Sequence, residues 1–209
     1  MSILYHSLPP RLHLASRSPR RCELLKQIGV PFDILPFRSA PRFDWALDET
    51  SLPGEDANAY VERIARSKAE FGCRIVSCRQ LPKHAVLAAD TTLDLDGQLI
   101  GKPRDSQDAE QILSRLSGRT HRVLTAVALA VHEQLELRLS ISEVRFRELT
   151  AEEIRRYVAT GEAMDKAGAY GIQGRAGIFV EHLVGSYTGV MGLPLCETAL
   201  LLKRVGFSI

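Results

Sequence analysis

LASRSPRRCELL, which runs from Leu14 to Leu25, is the stretch on which the predicted fold depends. The apolar residues at its start are typical of a short strand, and two serines and a proline end that strand. Apolar residues then recur at helical spacing. Ser18 is therefore expected at the N-cap of a helix, where its hydroxyl can accept a free amide. Pro19 is expected at the first helical position, where a missing N–H costs nothing.

Arg20 and Arg21 fall in the first turn of that predicted helix, where the positive end of the helix dipole disfavours cations. Local helix stability therefore does not explain the two arginines, whereas an anion bound at the turn would. Free amides, hydroxyls and guanidinium groups at one point would suit a phosphate chain. The alternative is a strand–turn–helix corner with solvated arginines.

Composition narrows the class of protein. The 209 residues suffice for one substantial domain or for two small lobes around a cleft. A net charge of +2 gives no strong attraction to nucleic acid or to a membrane, so neither is expected as a partner. The chain lacks a signal-peptide pattern and any apolar run of bilayer length, so we expect a cytoplasmic protein. The four cysteines form no C-x-x-C pair, which argues against a zinc or redox site.

The order of the predicted elements indicates an α/β fold with a mixed sheet. Strands and helices alternate at first, and two long strand-like runs, residues 121–131 and 135–146, are then expected to pair antiparallel around residues 132–133. Asp96-Gly97 predicts a hairpin, and Thr150 with Glu153 predicts a capping box. Residues 37–45 are irregular and are predicted to form an extended surface loop.

Short motifs follow one another in order along nearly the whole chain, from Leu14 to Leu202. They are Ser16-x-Ser18-Pro19-Arg20-Arg21, Asp48-Glu49, Arg63-x-Ala65-x-x-Lys68-Ala69, Ala89-Asp90-Thr91, Gly101-Lys102-Pro103, Ser117-Gly118 with His121-x-Val123-x-Thr125, Asp165-Lys166-Ala167-Gly168-Ala169-Tyr170-Gly171, and Gly192-Leu193-Pro194. Each motif is weak alone. Together and in this order they resemble the Maf family, septum-formation-inhibitor-like proteins that are nucleoside triphosphate pyrophosphatases.

The resemblance implies one domain over residues 1–209, with a mixed, twisted central sheet and flanking helices in two lobes around a cleft. This architecture is similar to that of inosine triphosphate pyrophosphatase. The implied activity is hydrolysis of dTTP and UTP, and of modified pyrimidine triphosphates, to the monophosphate and pyrophosphate, which would limit misincorporation of non-standard nucleotides. A divalent cation (Mg²⁺ or Mn²⁺, with Co²⁺ also compatible) and a homodimer are implied as well.

The same resemblance suggests the catalytic residues. Asp90 ends a buried strand, where α/β sheets place their ligands, and it matches the family's proton acceptor. Lys68 and Lys102 would take developing charge on the leaving oxygens. Glu49 is the expected partner for metal or water, and Glu49 with Asp90 would hold the metal. Asp44 is the alternative to Glu49, because the segment before this acidic pair looks longer than usual for the family.

Substrate-binding residues follow from the residues and from the resemblance together. Ser18, Arg20 and Arg21 are the candidate phosphate-binding residues. Arg20, Thr91 and Gln173 match positions that the family ties to the choice of base, a role that rests on the resemblance and not on spacing.

Several alternatives stay open at this point. Asp90 could cap a turn, Lys102 could be a solvated loop lysine, and Asp165–Lys166 could form a structural ion pair as readily as act directly. His121 is interpreted as a strand histidine with a hydrogen-bonding role, since no second histidine stands at a ligand spacing from it. The same chemistry could act on 7-methyl-GTP or another purine triphosphate. A protein of another class, a nucleotide-binding regulator of cell division, would bind without turnover.

Overall fold

The computed structural model describes residues 10–35, 48–131 and 134–209. The predicted surface loop 37–45, the alternative acidic residue Asp44 and the connection expected at residues 132–133 lie outside these residues.

Strands and helices alternate along the described chain. The strands are β1 (Leu12–Leu14), β2 (Phe32–Ile34), β3 (Ala85–Leu95), β4 (Gln98–Ile100), β5 (Thr120–Val131), β6 (Gln134–Phe146) and β7 (Val180–Val184). The helices are α1 (Pro19–Gln27), α2 (Ala57–Cys78), α3 (Ser106–Leu116), α4 (Ala151–Val158), α5 (Tyr187–Met191) and α6 (Leu195–Arg204), with 3₁₀ turns at Ala167–Ala169 and Arg175–Phe179.

The seven strands of the described ranges form one sheet in the order β2-β1-β3-β5-β6-β7, with β4 paired to β3. β2, β1 and β3 run parallel, whereas β4, β5, β6 and β7 each pair antiparallel with their neighbours. The predicted α/β fold with a mixed sheet and flanking helices is therefore confirmed. The two long runs pair as expected, in a register that places Val131 opposite Gln134.

A gap in strand pairing lies along one edge of β3. On this edge β1 pairs with residues 85–87 and β4 pairs with residues 93–95, while β5 pairs with residues 86–94 on the other edge. Residues 88–92 consequently have no strand partner on the first edge in the described part of the chain. Asp90 and Thr91 lie within this gap. Asp90 was predicted to end a strand, but it lies in the middle of β3, because the strand continues to Leu95. Successive side chains of a strand point to opposite faces, so Asp90 and Thr91 point to opposite faces of the sheet at this gap.

Helices pack against both faces of the long strands through hydrophobic side chains. On one face, Leu87 and Ala89 belong to a core with α1 and α6, and further along the same face Leu93 belongs to a core with α3 and α4. On the other face, Val86 and Ala88 pack against α2. The gap in β3 therefore lies between the two hydrophobic cores of the first face.

Helix α2 places one basic residue at this gap. Asp56 caps the helix by accepting a hydrogen bond from the amide of Ala59 at 2.8 Å. Val61, Ile64 and Ala65 are fully buried and recur at helical spacing, so this face lies on the sheet. Lys68 follows one turn later. No helix in the described ranges combines the length and the apolar character that a membrane span requires.

Gly168 is expected to be essential for packing of the 3₁₀ turn that follows α4. Its φ is +73°, and a Cβ atom there would lie 2.2 Å from Leu93 Cδ2. Gly168→Ala should therefore lower the free energy of unfolding by about 2–4 kcal/mol, from left-handed strain and overpacking together. Gly161→Ala is the matched control, because Gly161 has a φ of +76° and open space around it. Urea titration of both variants checks this, and equal losses would contradict the packing argument.

Candidate functional site

A pocket of about 420 Å³ opens at the gap in β3. Segments far apart in sequence line it: the β1–α1 turn, the loop before α2, α2 itself, β3, the β4–α3 loop, the turn at residues 165–173 and the end of α5. The lining includes every candidate site residue that the structure describes, namely Ser18, Arg20, Arg21, Glu49, Lys68, Asp90, Thr91, Lys102 and Gln173. Their juxtaposition is a property of the tertiary structure, and their roles stay predictions.

The β1–α1 turn presents the start of a helix to the pocket. Ser18 is the N-cap residue and Pro19 the first helical residue, as expected, but the Ser18 side chain makes no capping hydrogen bond. The expected cap was therefore wrong. In the same turn the Ser18 amide donates to Ser16 Oγ at 3.2 Å. The first-turn amides of α1 are thus not capped by Ser18, and their positive dipole end points at the pocket lining.

Arg21 connects three segments around the pocket. Its Nε donates to the carbonyl of Gly192 at 2.7 Å, and its two Nη atoms donate to Ser16 Oγ at 3.2 Å and to Thr91 Oγ1 at 3.4 Å. Burial lowers the pKa of the guanidinium, and the nearby carboxylate of Asp90 counteracts this. Arg21 therefore fixes the walls of the pocket in addition to carrying charge into it.

Lys68 lies between two carboxylates. Its Nζ is 2.7 Å from Asp90 Oδ1 and 2.7 Å from Glu49 Oε1. Burial pushes the pKa of Glu49 upward, but Lys68, Lys102 and Arg21 outweigh it, so the net shift is below the ordinary value. The hydroxyl of Tyr60 on α2 donates to the carbonyl of Glu49 at 2.9 Å and positions this loop.

A second charged cluster lies across the pocket. Asp165 accepts a hydrogen bond from Arg20 Nη1 at 3.2 Å and forms an ion pair with its neighbour Lys166. Lys166 Nζ also donates to the carbonyl of Glu162 at 2.6 Å. Burial pushes the pKa of Asp165 upward, but Lys166 and Arg20 outweigh it, so the pKa lies below its ordinary value and the carboxyl is held ionised. Asp165 and Lys166 thus form a structural ion pair and also line the pocket.

The pocket contains residues that sequence analysis quoted but did not assign to the site. Ser16 Oγ accepts hydrogen bonds from the Ser18 amide and from Arg21 Nη1. Tyr170 lines the pocket together with Gln173. Thr125 lies behind the pocket wall and bonds to Thr91 at 3.0 Å. Each belongs to one of the ordered motifs, but only the strand register and the turns show which atoms they contact.

The carboxylates suit one kind of metal site. No group of three or more His, Cys, Asp or Glu side chains in the described residues is arranged to hold a metal ion. Glu49 and Asp90 supply two carboxylates on either side of Lys68. Mg²⁺ is commonly bound through one or two carboxylates together with substrate phosphates, so these two residues fit such an ion.

His121 lies beneath the pocket, buried and without a metal-binding arrangement among the described residues. Its Nε2 is 2.9 Å from the hydroxyl of Tyr170, and its ring packs edge-on against Phe146. Nδ1 has no hydrogen-bond partner in the described part of the chain. Burial lowers the pKa of His121 to about 4. The structure therefore agrees with a neutral strand histidine that hydrogen-bonds a residue of the pocket wall.

Comparison with known proteins gives consistent matches. A family model described as Maf-like protein matches residues 11–205. A protein of Aromatoleum aromaticum named dTTP/UTP pyrophosphatase is 64% identical over 200 residues, covering 95% of this chain and 97% of the relative. A relative of the same name from Dechloromonas aromatica is 64% identical over 197 residues, and one from Chromobacterium violaceum is 52% identical over 199 residues. These cover 94% and 95% of this chain, and 98% and 96% of the relatives.

Among solved structures, one titled "The structure of the Staphylococcus aureus Ham1 protein" has a TM-score of 0.45 and 16% sequence identity to this chain. The match covers 65% of this chain and 71% of that one.

His121 should make stability depend on pH. Its pKa is about 4 in the folded protein against an ordinary 6.5, so at intermediate pH only the unfolded chain binds the proton. The contribution of His121 to stability is therefore fully present above pH 6.5, and it is lost as the pH falls towards 4. Between pH 7 and pH 5 the free energy of unfolding should fall by about 2 kcal/mol more in the wild type than in His121→Asn. Denaturant titrations at both pH values measure it.

The control for this measurement is His182→Asn, which changes an exposed histidine on β7. It should leave the pH dependence of the wild type unchanged. If His121→Asn kept that dependence as well, His121 would not be its source.

Proposed function

The chain belongs to the family of Maf-like proteins, and from this premise we propose that it is a nucleoside triphosphate pyrophosphatase that hydrolyses dTTP and UTP to the monophosphate and pyrophosphate. One observation carries the proposal. A single pocket combines the start of α1, with Arg20 and Arg21, and the Lys68 ammonium bridging Asp90 and Glu49. Cations and helix amides suit a triphosphate, and a positioned carboxylate suits activation of water.

The reaction needs a water molecule to attack the α-phosphorus while the bond from that phosphorus to the α–β bridging oxygen breaks. Asp90 accepts the proton of the attacking water, and pyrophosphate departs with the bonding electron pair. Asp90 is 8% exposed and bonded to Lys68, so its carboxylate is held in one orientation at the pocket wall. Such positioning is a large part of what general-base catalysis requires.

The cations stabilise the negative charge that accumulates on the leaving oxygens. Lys102 lines the pocket from the β4–α3 loop, and Lys68 lines it from α2. Arg20 lies at the start of α1, where helix amides add to its field. Charge stabilisation by groups that are already in place is worth several kcal/mol in phosphoryl chemistry.

Glu49 and Asp90 are the residues that would hold a divalent cation, Mg²⁺ or Mn²⁺, with further ligands from the substrate phosphates. Such an ion, when bound, would supply additional neutralisation of phosphate charge. Lys68 then balances whatever negative charge of the two carboxylates remains.

The choice of base belongs to the residues beyond the phosphate-binding groups. Thr91 and Gln173 line the same pocket as Arg20, as a shared role in the choice of base requires. Modified pyrimidine triphosphates fall under the same proposal. A homodimer and one domain over residues 1–209 are further parts of the proposal and rest on the family resemblance. A cytoplasmic setting is the last part and rests on the sequence pattern, which shows no signal peptide and no apolar run of bilayer length.

A panel of nucleotides tests the substrate. Purified protein should release pyrophosphate from dTTP and UTP with Mg²⁺ or Mn²⁺, and it should do so faster than from GTP, 7-methyl-GTP or dATP. Faster release from a purine would reject the proposed base preference and keep the chemistry. Nucleotide binding without any pyrophosphate release would reject the enzyme and favour a regulator.

Asp90→Asn should abolish most of the activity. Loss of the proton acceptor is expected to lower kcat by about 10²–10⁴-fold, since general-base catalysis typically contributes that much. Asp94→Asn is the matched control, because Asp94 is an equally buried aspartate on the same face of β3 that pairs with Arg122 and does not line the pocket. Near wild-type turnover by a folded Asp90→Asn variant would contradict the mechanism.

A further inference from the structure

A chain of hydrogen bonds runs from the pocket into the core behind it. Arg21 Nη2 donates to Thr91 Oγ1 at 3.4 Å, and Thr91 Oγ1 lies 3.0 Å from Thr125 Oγ1. Thr125 Oγ1 in turn lies 2.7 Å from the carbonyl oxygen of Gly189. Thr91 lines the pocket, whereas Thr125 is completely buried and does not line it.

The direction of every bond in this chain is determined by chemistry. A carbonyl only accepts, so the single proton of Thr125 must lie on the bond to Gly189. Without that proton, two oxygen atoms would face each other at 2.7 Å. Thr125 therefore cannot donate to Thr91, and Thr91 donates its proton to Thr125. Because the guanidinium of Arg21 only donates, Thr91 accepts that bond.

The helix that carries Gly189 is anchored at the required distance. A Cβ atom on Gly189 would lie 3.1 Å from Ser140 Oγ, so this glycine allows α5 to approach the sheet closely. The Ser186 amide at the start of α5 donates to Ser142 Oγ at 2.9 Å. Gly192, at the end of α5, accepts from Arg21 Nε at 2.7 Å. The Gly189 carbonyl is consequently held against Thr125 from both ends of the helix.

Thr91 thus presents the pocket with a hydrogen-bond acceptor and no donor. Ionised phosphate oxygens only accept, so they cannot form a hydrogen bond with this oxygen. A nucleotide group that forms a hydrogen bond with Thr91 must therefore carry a donor, which favours the nucleoside over the phosphates as the partner of Thr91. Thymine and uracil carry a ring N–H at position 3, where cytosine carries a lone pair.

We propose that Thr125 is a positioning residue for base selection: it fixes Thr91 as an acceptor, and Thr91 accepts from the ring N–H that thymine and uracil share. The inference rests on the proposed hydrolysis of dTTP and UTP. It adds the direction of the contact and a residue that never touches the substrate.

The test compares kcat/KM for pyrophosphate release from dTTP and from dCTP. In Thr125→Val the hydroxyl of Thr91 loses its acceptor and becomes free to donate to cytosine. The preference for dTTP over dCTP should therefore fall by about tenfold or more, as expected for a reversed hydrogen bond in a buried site. Thr125→Ser retains a hydroxyl at the same place and should preserve the preference.

Thr198→Val is the matched control. Thr198 is also completely buried and donates to a carbonyl, that of Pro194 at 2.7 Å, but it does not line the pocket or bond to Thr91. Its substitution should leave the preference for dTTP unchanged. Thr91→Val removes the acceptor itself and should also lower the preference, so the inference stays testable if Thr125→Val fails to fold.

The outcomes separate this inference from the function on which it rests. An unchanged preference in folded Thr125→Val, or in Thr91→Val, overturns the inference while the wild-type activity upholds the function. An equal loss with dTTP and dCTP also overturns it, because Thr91 would then face a sugar hydroxyl common to both. No pyrophosphate release by the wild type from any pyrimidine triphosphate rejects the function and the inference together.

Discussion

Strand β3 can pair with one strand at a time along each edge, and the site depends on how one edge is shared. β1 occupies the beginning of that edge and β4 the end, so residues 88–92 lie between two partners and pair with neither. Because successive side chains of a strand point to opposite faces, Asp90 and Thr91 extend from this gap to opposite faces of the sheet. A carboxylate held by α2 and a hydroxyl held by β5 can therefore serve one pocket.

The pocket is assembled from charges that are paired before any substrate arrives. Lys68 satisfies two carboxylates, and Asp165 satisfies Arg20 and Lys166. The side chains of Lys68 and Asp90 are only 14% and 12% exposed, so removing Lys68 would leave the Asp90 carboxylate largely buried without this ion pair, at a high cost. A polyanion that enters meets groups that are already positioned, which reduces the ordering cost of binding.

Local sequence signals succeeded where neighbouring residues decide the structure. The start of α1 at Pro19 and the capping box of Thr150 and Glu153 were predicted and are present. The hydroxyl of Ser18 was expected to cap α1 and does not, while the Ser18 amide donates to Ser16 in the preceding turn. Helix α5 was not predicted from the sequence, since five residues are too few to show helical periodicity.

The amino-acid sequence was enough to predict the mixed α/β fold, the charged residues of the site and the family, because periodicity, turn chemistry and ordered motifs can be recognised along the chain without knowing which residues meet in space. Folding brings Lys68 to Asp90 and Glu49 and makes Thr91 an acceptor, and neither arrangement could be predicted from the sequence. The second result depends on Thr125, whose proton is directed by a carbonyl 64 residues further along the chain. Hydrogen-bond direction is a relation between distant groups, and no pattern of neighbouring residues contains it.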